Sequence, residues 1–286
     1  MRVVARVPAT SANLGPGFDC FGLALDLCNE STIDTDLEPH VSWSGEGEGE
    51  LPTDGSDAVT RAMRSMADEA GRALPPLALR CANRIPLARG LGSSAAATVA
   101  GLAIADALLE LSTSPTELIA MAAGLEGHPD NVAAAILGGF TISFGDGVVR
   151  LDPARDLSPV VLIPAHLRLP TTEARSILPE TVTRADAIFN VARAAVGVVA
   201  FSTDPSLLAE ALKDVLHQPY RLPLVPEAAD LFSRLRGAGI AVCVSGAGPS
   251  LLAFETDEHP LPDVPDGWLT LRPGVRRTGA EIRVVG

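Results

Sequence analysis

The stretch Pro86-Leu87-Ala88-Arg89-Gly90-Leu91-Gly92-Ser93-Ser94-Ala95-Ala96-Ala97-Thr98 decides how this chain is read. Gly90 and Gly92 let the backbone take conformations closed to other residues and let a ligand come close to the main chain. Ser93, Ser94 and three alanines then read as the first turn of a helix running to about Leu111. A helix beginning there turns unpaired N–H groups, and the positive end of its dipole, toward the glycine loop. That is a phosphate cradle. A lone Gly-x-Gly is more often a surface turn before a core helix, but Gly-Leu-Gly-Ser-Ser-Ala after a proline is far more specific. It is not the Walker loop, which needs Gly-x-x-x-x-Gly-Lys-Ser/Thr. The chain's one lysine, Lys213, lies far from any glycine loop, so phosphate charge must be met by amides, hydroxyls, arginine and a metal ion.

At 286 residues the chain can build one large or two moderate domains. A formal charge of −13 leaves no basic stripe to displace counterions from a nucleic acid. An anionic substrate has to be captured locally, against the overall field. The first residues, Met-Arg-Val-Val-Ala-Arg-Val-Pro, lack the apolar core of a signal peptide, and no stretch reads as the roughly 18 apolar residues of a membrane span. The expectation is a cytoplasmic protein with no membrane partner. Cys20, Cys28, Cys81 and Cys243 are scattered without a Cys-x-x-Cys pair and read as reduced core residues.

Outward from the glycine loop, Leu77 to Asn83 reads as the strand that feeds it and Asp57 to Ala70 as a helix stopped by Gly71. Toward the N-terminus, Arg2 to Val7, Gly22 to Cys28 and Ile33 to Trp43 read as strands, and Pro8 to Phe21 as a Gly/Pro-rich loop carrying Asn13 and Asp19. Toward the C-terminus, Ser114-Pro115-Thr116-Glu117 is a helix start with a serine cap, and a polar cluster follows in Glu126-Gly-His-Pro-Asp-Asn-Val-Ala. A hairpin spans Phe140 to Leu151, and Pro153 to Pro159 is the boundary, giving units 1–153 and 154–286. Beyond it, helices are expected over Asp186–Phe201, Ser206–His217 and Pro226–Arg236. Strands are expected at Val160–Pro164, Ile240–Ser245, Leu251–Glu255, Trp268–Leu271 and Glu281–Val285. The irregular alternation favours a two-domain α+β protein over a doubly wound sheet.

Three glycine-bearing motifs occur in order: Pro8 to Phe21, Pro86 to Thr98, and Ser245-Gly-Ala-Gly-Pro-Ser250. With them the chain resembles the galactokinase, homoserine kinase, mevalonate kinase and phosphomevalonate kinase (GHMP) superfamily over almost its whole length. It is most similar to the homoserine kinases, through Pro-Ala-Thr-Ser-Ala-Asn-Leu-Gly-Pro-Gly-Phe-Asp and Glu-Gly-His-Pro-Asp-Asn-Val-Ala. The resemblance implies an N-terminal ribosomal-protein-S5-like domain and a C-terminal ferredoxin-like α/β sandwich. It also implies ATP-dependent phosphorylation of L-homoserine to O-phospho-L-homoserine on the route to threonine, and a homodimer. Other branches usually carry lysine or arginine where this chain has Ser11, which favours an amino-acid substrate over a sugar or mevalonate. A related kinase for such alcohols, or a silent binding protein on the same fold, are the alternatives.

Residue by residue, the resemblance implies that Pro86, Leu87, Ala88, Arg89, Gly90, Leu91, Gly92, Ser93, Ser94, Ala95, Ala96 and Ala97 hold ATP, and that Ser94 and Glu126 hold Mg²⁺. Homoserine is a zwitterion: Asp19, assisted by Asn13, suits its ammonium, while Arg175 and Arg221 suit its carboxylate through their planar forks. His128 helps position substrate. Asp130 and Asn131 are neighbours on a helix start, about 100° apart, so both cannot face one site. The resemblance selects Asn131, which cannot accept a proton, so transfer proceeds in line without a strong general base. Two departures stand out: Asp57 replaces an asparagine that touches adenine in some relatives, and Pro170 replaces a serine before Thr171.

Overall fold

The computed structural model describes residues 1–285. Its first sheet grows from strand β1 (Arg2–Ala12), whose alternating burial puts Val3, Ala5 and Val7 in the core, paired antiparallel with β2 (Phe21–Asp34). The register runs from Arg2 opposite Asp34 to Ala12 opposite Gly22, with a shift between Pro8 and Ala9. The first motif is therefore half strand: only 13–20 form the loop, and β2 takes in residues expected to be separate strands. β3 (His40–Gly45) lies parallel to β4 (Ala78–Asn83), which pairs with β2. Between them runs α1 (Ala58–Glu69), capped by Asp57, whose carboxylate accepts from Thr60 N and Oγ1 at 2.8 and 2.7 Å. Asp57, buried and so engaged, is a helix cap.

α2 (Ser93–Leu109) packs its alanine-rich surface into the core, followed by α3 (Pro115–Glu126), which has the expected capping box from Ser114 and Glu117, and α4 (Asp130–Leu137). The hairpin of β5 (Phe140–Phe144) and β6 (Gly147–Leu151) joins the sheet through β2.

The second sheet has the order β10-β7-β9-β8, all antiparallel, from β7 (Pro159–Pro164), β8 (Ala241–Val244), β9 (Leu251–Phe254) and β10 (Trp268–Leu271). The helices beside it are α5 (Thr171–Ser176), α6 (Arg184–Ser202), α7 (Leu208–Ala211), α8 (Gln218–Arg221) and α9 (Pro226–Gly237). Three differ from the sequence reading, among them α8, which lies outside every expected helix. The expected helix from Ser206 stops at Ala211, and Asp214 instead gathers the N–H groups of Leu216, His217 and Gln218 into a tight turn. α5 is a short helix that no strong periodicity announced.

The last strand, β11 (Glu281–Val285), returns to pair antiparallel with β1. The chain beyond the expected boundary thus returns to the first sheet. One core cluster spans both halves, and a line of aromatic rings crosses it: Phe21 to Phe140 at 5.1 Å, Phe140 to Phe201 at 4.8 Å and Phe201 to Phe254 at 5.7 Å. α6 corrects another expectation: by length and a mean hydropathy of 1.4 it could cross a membrane. It carries Asp186 and Arg193, and its Asn190 and Phe201 are buried in the fold.

Candidate active site

At the start of α2 the glycines do what the motif demands. Gly90 and Gly92 have φ of +72° and +66°, and a Cβ on either would lie 2.0 Å from an atom, Ser245 O for Gly90 and Thr10 Oγ1 for Gly92. Gly92 is the N-cap and supplies no side-chain cap, so the N–H groups of the first turn are left for a ligand. Ser245 Oγ donates to Gly90 O at 2.7 Å and meets Ser11 Oγ at 2.8 Å, which ties the three glycine motifs together.

One cleft is lined by Pro86 and Ala88 through Ala95, and by Asn13, Asp19, Glu126, His128, Asp130, Asn131, Thr171, Arg175 and Arg221. The structure therefore brings together nearly every residue singled out in the sequence. Leu87, Ala96 and Ala97 stay outside the lining, and Ala96 N–H is already bonded to Gly92 O inside the helix. Arg89 reaches the cleft only by its backbone side: its guanidinium donates to the carbonyls of Pro164, Ala165 and Leu167 and braces the loop against the end of β7. Asn13 is likewise turned to the backbone, donating to Gly246 O at 2.7 Å and accepting from Asp19 N at 3.0 Å. It fixes the turn that presents Asp19, where Asn13, Leu14 and Asp19 all have positive φ.

Glu126, at the end of α3, accepts on Oε1 from Ser94 Oγ at 3.0 Å and from Thr98 Oγ1 at 2.6 Å. Ser94 and Thr98 are one helical turn apart, so both hydroxyls fall on one face of α2. That spacing was present in the sequence and went unused. Among the described residues no cluster of three His, Cys, Asp or Glu side chains is placed to hold a metal alone. A carboxylate with a neighbouring hydroxyl instead fits a hard cation that keeps water and phosphate oxygens, as Mg²⁺ does.

Charged side chains crowd the other end. Arg175 makes a two-pronged bridge to Asp19 at 2.8 and 2.6 Å, and this pairing raises its pKa. Arg221 is 3 % exposed, and its partners are Ala174 O, Gly246 O and His217 Nδ1. Burial, with help from the nearby Arg175 charge, lowers its pKa to about 10. His217 donates from Nε2 to Gly15 O at 2.8 Å, which leaves Nδ1 to accept from Arg221; burial lowers its pKa and keeps it neutral. Phe18 stacks on His217 with centroids 5.3 Å apart and lies beneath both guanidinium groups, 5.7 Å from Arg175 and 5.1 Å from Arg221. Phe18 and His217 were missed, although His217 sits four residues before Arg221.

Between the two ends, Asp130 Oδ1 faces His128 Nδ1 at 2.9 Å and the backbone and side-chain N of Asn131 at 2.7 and 3.3 Å. Asp130 is 2 % exposed. Its hydrogen bond raises the pKa of His128 against the opposing effect of burial.

Comparison with known proteins agrees with this geometry. Residues 57–139 match the GHMP kinases N terminal domain and residues 194–268 the GHMP kinases C terminal family. A homoserine kinase of Moorella thermoacetica is 44% identical over 285 residues, covering 98% of this chain and 96% of that protein. The crystal structure of homoserine kinase from Cytophaga hutchinsonii superposes with a TM-score of 0.83 at 25% identity, covering 99% of this chain and 97% of that one. A putative homoserine kinase from Listeria monocytogenes gives 0.76 at 32% identity, covering 99% and 100%. A cleft with an uncapped helix start at one end and paired arginines at the other, on this fold and at this identity, places the chain in the homoserine kinase family of GHMP kinases.

Proposed function

We propose that this protein transfers the γ-phosphoryl group of ATP to the side-chain hydroxyl of L-homoserine, giving O-phospho-L-homoserine for threonine synthesis. The observation that carries the reading is Arg221. It is a nearly fully buried guanidinium whose hydrogen bonds among the described residues go to neutral groups, and a buried cation with no carboxylate hydrogen-bonded to it is poised for an anionic ligand. Arg175 and Asp19 stand beside it, so the pocket offers two cations and one anion to a zwitterion. Substrate exchanges the Asp19–Arg175 bridge for two new pairs, its ammonium on Asp19 and its carboxylate between Arg175 and Arg221. Asn13 supports this by holding Asp19, and His128 closes the side of the pocket.

At the other end the free N–H groups of Ser93, Ser94 and Ala95 cradle the phosphates. Ser94 and Glu126 hold Mg²⁺, which neutralises charge on the phosphate oxygens. Phosphoryl transfer needs alignment and charge neutralisation more than covalent help, because its transition state is loose. Asn131 orients the acceptor hydroxyl, and Asp130, whose Oδ1 is held among three N groups, stays structural. The proton leaves to the γ-phosphoryl group or to water. The reading extends to a cytoplasmic homodimer; the outward Ile188 and Val191 of α6, 63% and 69% exposed, offer an apolar face to a second copy.

The test is ADP release with Mg-ATP against L-homoserine, L-serine, L-threonine, mevalonate and galactose. Turnover with homoserine alone is expected. Preference for mevalonate or galactose would overturn the roles of Asp19, Arg175 and Arg221, and silence on all five with ATP still bound would mark a binding protein.

A further inference from the structure

We propose that Thr10 is a positioning residue that fixes the Asn131 amide so that it offers the acceptor hydroxyl an N–H rather than a carbonyl oxygen. The inference rests on the reading of the cleft above. Thr10 lies near the end of β1, is fully buried, and touches both halves of the reaction. Its backbone N–H donates to Leu91 O, inside the phosphate loop, at 3.1 Å. Its Oγ1 lies 2.8 Å from Asn131 Oδ1 and occupies the space a Cβ on Gly92 would need.

A threonine hydroxyl can donate or accept, so Thr10 alone does not choose the face of the amide. Asp130 does. Its Oδ1 lies 3.3 Å from Asn131 Nδ2 and already accepts from Asn131 N. Turning the amide over would set its oxygen against a carboxylate oxygen, acceptor against acceptor. Nδ2 therefore faces Asp130, Oδ1 faces Thr10, and the threonine hydroxyl donates. One hydrogen of Nδ2 is directed to Asp130 and the other remains for a ligand.

An N–H on the homoserine oxygen engages one lone pair and leaves another for phosphorus. The new bond forms between that oxygen and the γ-phosphorus while the bond from the γ-phosphorus to the bridging oxygen breaks, its electron pair leaving with ADP. The hydroxyl proton, which Asn131 does not take, passes to a γ-phosphoryl oxygen or to water. Because Thr10 also holds Leu91, one side chain and one amide set the acceptor residue against the loop that carries the donor.

The experiment compares Thr10→Val, which keeps shape and loses the hydroxyl, with Thr10→Ser, Asn131→Ala and the double variant Thr10→Val/Asn131→Ala. Turnover, KM for ATP and Tm are measured on the full chain with Mg-ATP and L-homoserine. Thr10→Val leaves the amide oxygen unpaired, and kcat is expected to fall about 10- to 100-fold with KM for ATP unchanged. Thr10→Ser is expected to restore most of it, and the double variant to be no slower than Asn131→Ala, as for residues acting as one unit. If valine prevents folding, Thr10→Ala set against Thr10→Ser carries the same comparison. If Asn131→Ala is slow but Thr10→Val is not, the inference fails and the proposed function stands. If Thr10→Val raises KM for ATP and lowers Tm and serine does not rescue it, Thr10 merely packs the loop and the inference fails. Near-normal turnover of Asn131→Ala would overturn this inference and the assigned role of Asn131 together.

Discussion

The two ends of the cleft recognise charge by different means. The end at α2 is made of backbone: uncapped N–H groups on a loop whose own arginine, Arg89, points away to carbonyls, while the lone lysine, Lys213, pairs with Glu210. The opposite end is made of side chains, with Arg175, Arg221 and Asp19 drawn from three separate segments and braced by Phe18 and His217. In a chain of formal charge −13, amides give a phosphate a partner that no local carboxylate can neutralise, whereas the guanidinium forks supply shape as well as charge. Apart from Ser94 and Glu126, the first end should therefore tolerate changes of side chain and fail when a Cβ intrudes, and the second should do the reverse.

The largest expected effect comes from breaking the backbone end. Gly92→Ala places a methyl 2.0 Å from the buried Thr10 hydroxyl at a φ of +66°, a conformation that costs a non-glycine residue about 1–3 kcal/mol before any clash. Loss of measurable turnover and of ATP binding, with a lowered Tm, is expected. Ser93→Ala, one residue on, keeps the N–H and should stay within a few-fold of the parent in KM for ATP. Equal losses in the two variants would mean that the serine side chain, not the amide, carries recognition.

Next comes the side-chain end. Arg221→Lys keeps the charge but loses the fork that meets Ala174 O, Gly246 O and His217 Nδ1 at once. Removing one partner of a buried, hydrogen-bonded charge contact costs about 2–5 kcal/mol, so kcat/KM for homoserine should fall on the order of 10³-fold. KM for ATP should not move. A matched loss in both KM values would show that Arg221 supports the cleft as a whole.

The same contrast explains what was legible in the sequence. Gly90, Gly92 and the serines after them announce their geometry locally, because a left-handed backbone and a helix start are properties of a few consecutive residues. α2 and the Ser114 cap were readable for the same reason, and the long strands only in part: β1 runs past Val7 to Ala12, and β2 joins what read as two strands. The acceptor end was not derivable that way: Asp19, Arg175 and Arg221 are ordinary charged residues until the chain folds, and only the resemblance joined them. Local reading also failed where a side chain overrides periodicity. Asp214 captures three N–H groups in a turn where the helix was expected to run on to His217, and β11 crosses back to β1 through pairing that no nearby residue encodes. Arg89 shows the opposite error, a cation in the right motif whose side chain the fold directs elsewhere.

The smallest expected effect lies where the two ends meet. His128 holds Asp130 through Nδ1, and this hydrogen bond sets its pKa above the ordinary 6.5 in the folded protein. The folded state thus binds the proton more tightly than the unfolded chain does. The stabilisation is fully present below about pH 6.5, and it is lost as pH rises through the raised value. His128→Gln removes the titrating ring but keeps a side-chain donor able to reach Asp130. The difference in Tm between parent and variant, a few degrees, should be widest near pH 6 and narrow steadily toward pH 9. A difference that stays constant across that range would mean the ring serves as a neutral donor. The junction would then depend on the geometry of the Asp130 hydrogen bonds, as the backbone end does, rather than on charge, as the arginine end does.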